Sequence, residues 1–347
     1  MFEINNRAIS LSSEPYIIAE ISANHCGSLE NAFNLISAAK ESGADAVKLQ
    51  TYTADSMTLN SKKEDFLIKE GIWKGYNLYD LYSEAATPYE WHEKLFKFAE
   101  ELEIAIFSSP FDIDSIDFLD ELNVPAFKIA SFEIVDLNLI KYAASKGKPI
   151  LISTGMASED EIDEAVKIAK DHGNGQILLF HCVSSYPAPT NHSNIRLISK
   201  LREKYNLEVG LSDHTLSKTA AIASIAMGAS AIEKHFIINK NFKGPDSSFS
   251  IEPHQMKELK FSTTQCWKAL GSGDFSRSIN ERKNKIFRRS LYFVNDVKCG
   301  EVISKKDIKS IRPGFGIAPK FLDQIVNKKR VLKNVFKGDR VEWDILD

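Results

Sequence analysis

The chain is predicted to be an α/β protein, a (β/α)8 TIM barrel followed by a small C-terminal domain. Three observations carry that prediction. Eight short apolar runs alternate with stretches of helical period, polar residues gather at the end of each run, and the alternation stops after Trp267. In a parallel barrel all strand C-termini open on one face, so side chains far apart in sequence converge on one pocket. The fold prediction therefore nominates site residues directly.

In chain order, YIIAEIS ends at Glu20, AVKLQT carries Lys48 and Gln50, and IAIFSSP reaches Ser109. AFKIAS carries Lys128 and Ser131, PILISTG carries Ser153 and Thr154, and QILLFHCVSSYP ends near His181 and Tyr186. EVGLSDHT supplies Ser212, Asp213 and His214, and AIEKHF supplies Glu233, Lys234 and His235. Runs such as ILIS and ILLF are continuously apolar, as parallel strands covered on both faces must be. The intervening helices follow from spacing: Ala32, Leu35, Ile36 and Ala39 recur at i, i+3, i+4 and i+7, as do Ile162, Ala165, Val166 and Ala169. Ser158 with Glu161, and Thr87-Pro88 with Glu90, are candidate capping boxes. Between AVKLQT and Thr87 lies a stretch of about 35 residues rich in Lys, Tyr and Trp, read as an irregular loop of the kind that forms a lid or substrate wall.

The predicted barrel spans 1–270, a Gly/Ser-rich and charged linker spans 271–286, and the small domain spans 287–347. Its short β-like runs, SLYFVNDV, EVISKKD and RVEWDIL, are punctuated by Gly300, Pro313-Gly314 and Gly338. At 347 residues, 43% hydrophobic and 26% charged, the composition is that of a soluble globular protein. A net charge of −3 gives no global field for nucleic acid or an anionic membrane. The charge is uneven: 280–347 holds 17 Lys/Arg against 9 Asp/Glu, leaving an acidic body. A basic tail could bind nucleic acid, an acidic partner subunit or an anionic substrate, and no nucleic-acid recognition motif accompanies it. Four scattered cysteines without a CxxC pair, and no signal peptide, predict a reducing cytoplasm. No apolar run approaches the ~18–20 residues of a membrane span.

Lysines at the ends of apolar strands are costly unless paired. Lys48, Lys128 and Lys234 are either salt-bridged, or part of an anion pocket in which Lys48 and Lys128 join the hydroxyls of Ser109, Ser131, Ser153 and Ser212. Many donors on one rim suit a phosphate and a carboxylate. His214 and His235 end neighbouring strands. Each alone would read as a hydrogen-bonded core residue, but two imidazoles on one rim form a candidate metal site. With few ligands and no cysteine set, it suits Mn2+, Mg2+ or a similar ion rather than structural zinc. His25 is a more distant third candidate. His92, His172, His192 and His254 are read as surface residues. Glu20 and Glu133 are candidate acid/base or sugar-binding carboxylates, or else partners of Lys48 and Lys128. Asp246, in a GPD turn, either contacts substrate or stabilises the turn.

The motifs AEISANH, VKLQTY, FSSPFD, KIAS, STGM, SSYPAP, GLSDHT, IEKHF and GPDSSFS, in that order, resemble the sialic acid synthase family over almost the whole chain. RRSLYFVNDV, GEVIS and SIRPGFGIAPK resemble the antifreeze-like domain, of β-clip type, that follows the barrel in that family. The resemblance implies condensation of phosphoenolpyruvate with the open aldehyde form of an N-acetylated amino sugar, giving a nine-carbon 2-keto acid and phosphate. It implies a divalent cofactor (Mn2+, Mg2+ or Co2+) on His214 and His235. Lys48, Gln50, Ser109, Lys128, Ser131, Ser153 and Ser212 match the residues that hold phosphoenolpyruvate. Glu20 matches the glutamate that helps deprotonate the attacking water, so the implied catalytic set is Glu20, His214 and His235. Glu133, Tyr186 and Asp246 match sugar-contacting positions. Arg312 matches an arginine that reaches the sugar in the partner barrel, which implies a homodimer and gives the basic tail an acidic neighbour.

Departures from the family pattern bear on the sugar. Phe132 stands where N-acetylmannosamine-using members tend to have Gly, and NLYDLYSEAATPYEWH and GPDSSFSIEP resemble the pseudaminic acid synthase branch. That branch uses 2,4-diacetamido-2,4,6-trideoxy-L-altrose, a less polar sugar that fits Phe132 together with Tyr76, Tyr79 and Tyr82. Those aromatics could instead simply pack a lid onto the barrel. Cys26 replaces a common Asn, and SSP replaces STP while keeping a hydroxyl. The alternatives are legionaminic or N-acetylneuraminic acid synthesis, a condensing enzyme for phosphorylated sugars, and a non-catalytic sugar- or ice-binding protein.

Overall fold

The computed structural model describes residues 2–347 and divides into two compact units, Met1–Gly271 and Ser272–Asp347. An antiparallel hairpin comes first, β1 (Phe2–Ile4) against β2 (Arg7–Ile9). Eight parallel strands follow: β3 (Tyr16–Glu20), β4 (Ala46–Thr51), β5 (Ala105–Pro110), β6 (Phe127–Ile129), β7 (Ile150–Ser153), β8 (Ile177–Cys182), β9 (Glu208–Ser212) and β10 (Ala231–His235). Each pairs with the next, and β10 pairs back to β3, so the barrel closes.

The helices of this unit are α1 (Leu29–Glu41), α2 (Ala54–Met57), α3 (Leu78–Ala85), α4 (Tyr89–Glu101), α5 (Ile113–Glu121), α6 (Leu137–Ser145), α7 (Glu159–His172), α8 (Arg196–Tyr205), α9 (Thr219–Ala226) and α10 (Pro253–Leu270). The buried faces of α1 and α7 are the predicted ones. The Ser158–Glu161 capping box forms. The Thr87–Glu90 box does not: Pro88 is the N-cap of α4, and the Thr87 hydroxyl lies 3.3 Å from His25 Nε2 instead. The stretch after β4 is not wholly irregular either, since it contains α2 and α3.

Strand alternation sorts the core into two sets. Outward residues such as Ile17, Val47, Ile129, Leu179 and Ile232 pack against the helices. Inward residues Ile18, Phe107, Leu151 and Phe180 fill the barrel, together with Phe2, Ile4 and Ile9 of the hairpin. The lower interior is therefore solid. Gly210 leaves room for the Phe180 ring, because a Cβ there would lie 2.5 Å from it.

Register then carries polar residues to one level. His235 pairs opposite Glu20, Glu20 opposite Lys48, Gln50 opposite Ser109, and Ser212 opposite Glu233. Neighbours in register on parallel strands point the same way, so this inward set forms a ring above the apolar layers.

The second unit holds α11 (Ile279–Lys283), the antiparallel pair β11 (Ser290–Phe293) and β12 (Ile308–Ile311), and α12 (Leu322–Ile325) around its own apolar core. The runs EVISKKD and RVEWDIL contribute isolated bridges rather than full strands. Arg312 follows β12 directly.

Candidate active site

A cavity of about 330 Å³ opens at the C-terminal end of the barrel. Its floor is the ring of inward residues. Lys48 forms an ion pair with Glu20 and lies 3.3 Å from Ser109 Oγ. Lys128 Nζ donates to Ser153 Oγ at 2.7 Å. Glu233 Oε1 lies 3.6 Å from both lysine ammonium groups and accepts from Ser212 Oγ at 3.0 Å. Two buried cations and two buried carboxylates thus balance, as low-dielectric surroundings demand.

The electrostatics of this quartet follow from burial and charge. Burial alone would push Glu233 up, but Lys128, Lys48 and Ser212 hold it down at about 2. Burial would pull Lys48 down, yet Glu20 and Glu233 keep it above its ordinary value. Burial raises Glu20 despite Lys48. Lys128 is lowered, chiefly by burial with the Lys48 charge adding to it, and Glu233 opposes the change.

Gln50, Ser131, Ser153 and Ser212 line the same cavity. Ser131 Oγ lies 2.9 Å from Ser184 Oγ, and Gly155, at φ +48°, approaches so closely that a Cβ would meet Ser131 Cβ at 2.5 Å. Only glycine tolerates both the left-handed backbone and that contact.

The two histidines sit side by side on the rim, from the ends of neighbouring strands, with ring centroids 5.5 Å apart and the rings tilted by 56°. His214 Nδ1 donates to Val183 O at 2.9 Å, which fixes the tautomer and leaves Nε2 with its lone pair free. Burial, with the nearby His235, lowers His214 to about 3, so the ring is neutral across the physiological range. His235 Nδ1 is buried without a hydrogen-bond partner and lies 3.5 Å from Asp246 Oδ2. A fixed neutral imidazole beside an orphaned buried nitrogen fits a divalent ion. Among the described residues no set of three or more His, Cys, Asp or Glu converges as a cage, so such a site would be open to substrate and water.

His25 is not part of this arrangement. Its Nδ1 accepts from Gly27 N, its Nε2 faces Thr87, and its ring meets Trp91 edge-on. His172, His192 and His254 are exposed as predicted, but His92 is fully buried, with Nε2 2.8 Å from Thr51 Oγ1. A histidine on the inner face of an amphipathic helix needs a polar partner, and β4 supplies one. Lys234, alternating with Glu233 and His235, points out of the barrel. It donates to Asp213 Oδ2 at 2.7 Å and Thr215 O at 2.6 Å, so the salt-bridge alternative holds for this lysine.

Glu133, Phe132, Tyr186 and Asp246 line the upper cavity. Burial raises Glu133 to about 7, and its Oε2 has no partner. Burial would raise Asp246, but the nearby His235 charge and hydrogen bonding from Ser22 and the Ala23 backbone hold it below the usual carboxylate range. Phe132 is 60% exposed, at the mouth rather than the wall. Tyr82 lines the cavity, but Tyr76 and Tyr79 do not: their hydroxyls turn outward to Glu84 and Asp55. Trp73 closes the top, donating Nε1–H to Pro245 O at 3.1 Å and packing on Tyr186. Sequence reasoning assigned no role to Glu233 or Trp73. The first was available from alternation, since it lies two residues before His235; the second depends on how the stretch after β4 folds back.

The NeuB family model matches residues 35–275, and the SAF domain matches 288–346. A pseudaminic acid synthase of Campylobacter jejuni subsp. jejuni is 45% identical over 94% of this chain and 95% of its own length. An N,N'-diacetyllegionaminic acid synthase of the same species is 38% identical over 90% of this chain and 94% of its own. The crystal structure of an N-acetylneuraminic acid synthetase from Leptospira borgpetersenii, in complex with citrate, superimposes with a TM-score of 0.74. It is 30% identical and covers 82% of this chain and 94% of that one. The closed barrel, its polar floor and these matches together make the chain a member of the NeuB family of sialic acid synthases, with a C-terminal SAF domain.

Proposed function

We propose that this protein is a pseudaminic acid synthase, condensing phosphoenolpyruvate with 2,4-diacetamido-2,4,6-trideoxy-L-altrose to give pseudaminic acid and phosphate by C–O cleavage. The observation that carries the reading is the two-faced cavity: a floor of paired lysines and hydroxyls beside two neighbouring imidazoles, roofed by apolar side chains. The greater identity to a pseudaminic than to a legionaminic acid synthase supports the choice of sugar.

The residues divide the chemistry. Lys48, Gln50, Ser109, Lys128, Ser131, Ser153 and Ser212 hold the phosphate and carboxylate of phosphoenolpyruvate. The enol carbon attacks the sugar aldehyde carbon, leaving an oxocarbenium-like centre at C2. Water adds there while Glu20 takes its proton, and the C–O bond to phosphate then breaks. Lys48 and Lys128 stabilise the charge that collects on the leaving group, and they are already oriented before it forms. A divalent ion, such as Mn2+, Mg2+ or Co2+, held by His214 and His235 would supply Lewis-acid polarisation of the aldehyde oxygen. Glu133, Tyr186, Asp246 and Phe132 contact the sugar, and juxtaposing the two substrates supplies much of the remaining rate.

The same reading includes a homodimer in which Arg312 of one subunit reaches the sugar in the partner barrel. The basic tail and acidic body support it. Among the described residues no helix is long and apolar enough to cross a membrane, and the four cysteines are free, which supports a cytoplasmic enzyme.

The test is phosphate release from phosphoenolpyruvate with Mn2+ and each candidate sugar. Turnover is expected with the trideoxy sugar, lost to chelator and restored by divalent ion. Equal or better turnover with N-acetylmannosamine would overturn the choice of sugar, and indifference to chelator would favour a mere binding protein.

A further inference from the structure

Helix α3 has a two-faced surface at the cavity. Leu78, Leu81, Tyr82 and Ala85 all line the cavity, and they fall at i, i+3, i+4 and i+7. Tyr79, Asp80, Ser83 and Glu84 occupy the opposite face, with Asp80, Ser83 and Glu84 exposed. The Tyr79 hydroxyl reaches Asp55, and Ser83 Oγ folds back onto Tyr79 O. This short surface helix thus sets its apolar stripe over the polar floor and its polar face to solvent.

The helix is held there by contacts on both sides. Asn77 caps it, its side chain accepting from Tyr79 N at 2.9 Å, while its amide donates to Ser61 O at 2.7 Å. Trp73, just before it, is pinned to Pro245 O in the loop that follows β10. Tyr82 meets Tyr52 edge-on, with centroids 5.8 Å apart, and Tyr52 meets Phe111 at 5.2 Å. The stripe is thus part of a fixed wall rather than a free flap.

Geometry sets which part of a substrate meets this wall. The aldehyde carbon must lie where the enol carbon can reach it, beside Lys48, Lys128 and the two imidazoles. The other end of the sugar chain then points away from the floor, towards the roof. An apolar roof favours a methyl there and penalises a hydroxyl, because a buried hydroxyl without a partner loses its hydrogen bonds to water.

Resting on the synthase reading above, we propose that the inner face of α3, through Leu81, Tyr82 and Ala85, selects sugars whose far end is a methyl rather than a hydroxymethyl group. It is a specificity element, distinct from the residues that hold phosphoenolpyruvate. Phe132, at the cavity mouth, is secondary to it.

The experiment compares kcat/KM for the trideoxy sugar and its 6-hydroxy counterpart in wild-type protein, Leu81→Asn and Ala85→Ser, with Ser83→Ala as the outward-facing control. Wild type is expected to prefer the methyl-bearing sugar by about tenfold or more, the scale on which apolar pockets discriminate single groups. Leu81→Asn should cut that preference at least about fivefold, and Ala85→Ser about threefold, with the KM for phosphoenolpyruvate and the Ser83→Ala kinetics unchanged. Thermal melting checks folding, and Ala85→Ser, which adds one oxygen, keeps the test alive if Leu81→Asn does not fold. A preference left unchanged by both substitutions, or equal losses on both sugars, would overturn the role of α3 while leaving the synthase reading intact. A wild-type enzyme that turns over neither sugar would overturn the synthase reading itself, and this inference with it.

Discussion

Glu133 shows how a single residue can be costly to the fold and useful to the site. In the folded protein its carboxyl is raised by burial from 4.5 to about 7. The penalty is absent below pH 4.5, grows as the pH climbs towards 7, and is fully present above it, since only the folded state resists ionisation. Glu133→Gln is therefore expected to stabilise the protein by about 2 to 3 kcal/mol at pH 8 and by almost nothing near pH 4.5, read as denaturant midpoints. Turnover should fall at the same time if the carboxyl contacts the sugar. A stability gain independent of pH would show that burial of the charge is not the cause. Glu233 is the reverse case. Its charge separates two lysines, so Glu233→Gln should lower stability by about 3 kcal/mol, the scale of breaking a buried ionic network. The measurement is again the denaturant midpoint, and an unchanged midpoint would mean that water already screens the lysines.

At the scale of elements, β10 spends three successive residues on three tasks: Glu233 and His235 face inward, and Lys234 faces outward to lash the loop after β9. Lys234→Met leaves Asp213 buried without its cation, and about 3–5 kcal/mol of stability should go with it. Adding Asp213→Asn should recover part of that loss, since the orphaned charge is removed; a double variant no better than the single would refute the pairing. Much of this was legible beforehand. Eight short, mainly apolar runs marked the barrel strands, and the period-3.6 stripes marked α1 and α7. The strand-end rule brought Lys48, Lys128, Ser153, Ser212, His214 and His235 to one cavity, with Glu20 paired to Lys48 beneath it. What escaped has physical reasons. The cap of α4 went to Pro88 because the Thr87 hydroxyl found His25, a tertiary contact no local pattern contains. Helix α3 was hidden because its stripe is only eight residues long within an aromatic stretch, and Tyr76 and Tyr79 were credited with a wall that Leu81 and Ala85 build.

At the scale of the whole molecule, the SAF unit is a separate body with its own core, and the homodimer proposed above asks its Arg312 to serve the partner's site. Complementation tests this directly. His214→Ala and Arg312→Ala homodimers should each be nearly inactive. Once their subunits exchange, about half the dimers are mixed, and one of the two sites in each mixed dimer regains both residues. Activity should then recover to about a quarter of wild type. No recovery after verified exchange would place Arg312 in its own chain's site or outside any site.

The hairpin at the amino end has a consequence for traffic. With Phe2, Ile4 and Ile9 packed under Phe107, Leu151 and Phe180, the barrel is stoppered below by the described residues, and the cavity over its polar floor opens above. Whatever sits deepest must arrive first and depart last. Phosphoenolpyruvate is thus expected to load before the sugar, and inorganic phosphate to leave after the nine-carbon acid. Phosphate should then inhibit competitively against phosphoenolpyruvate alone, a steady-state pattern that a through-going tunnel would not produce.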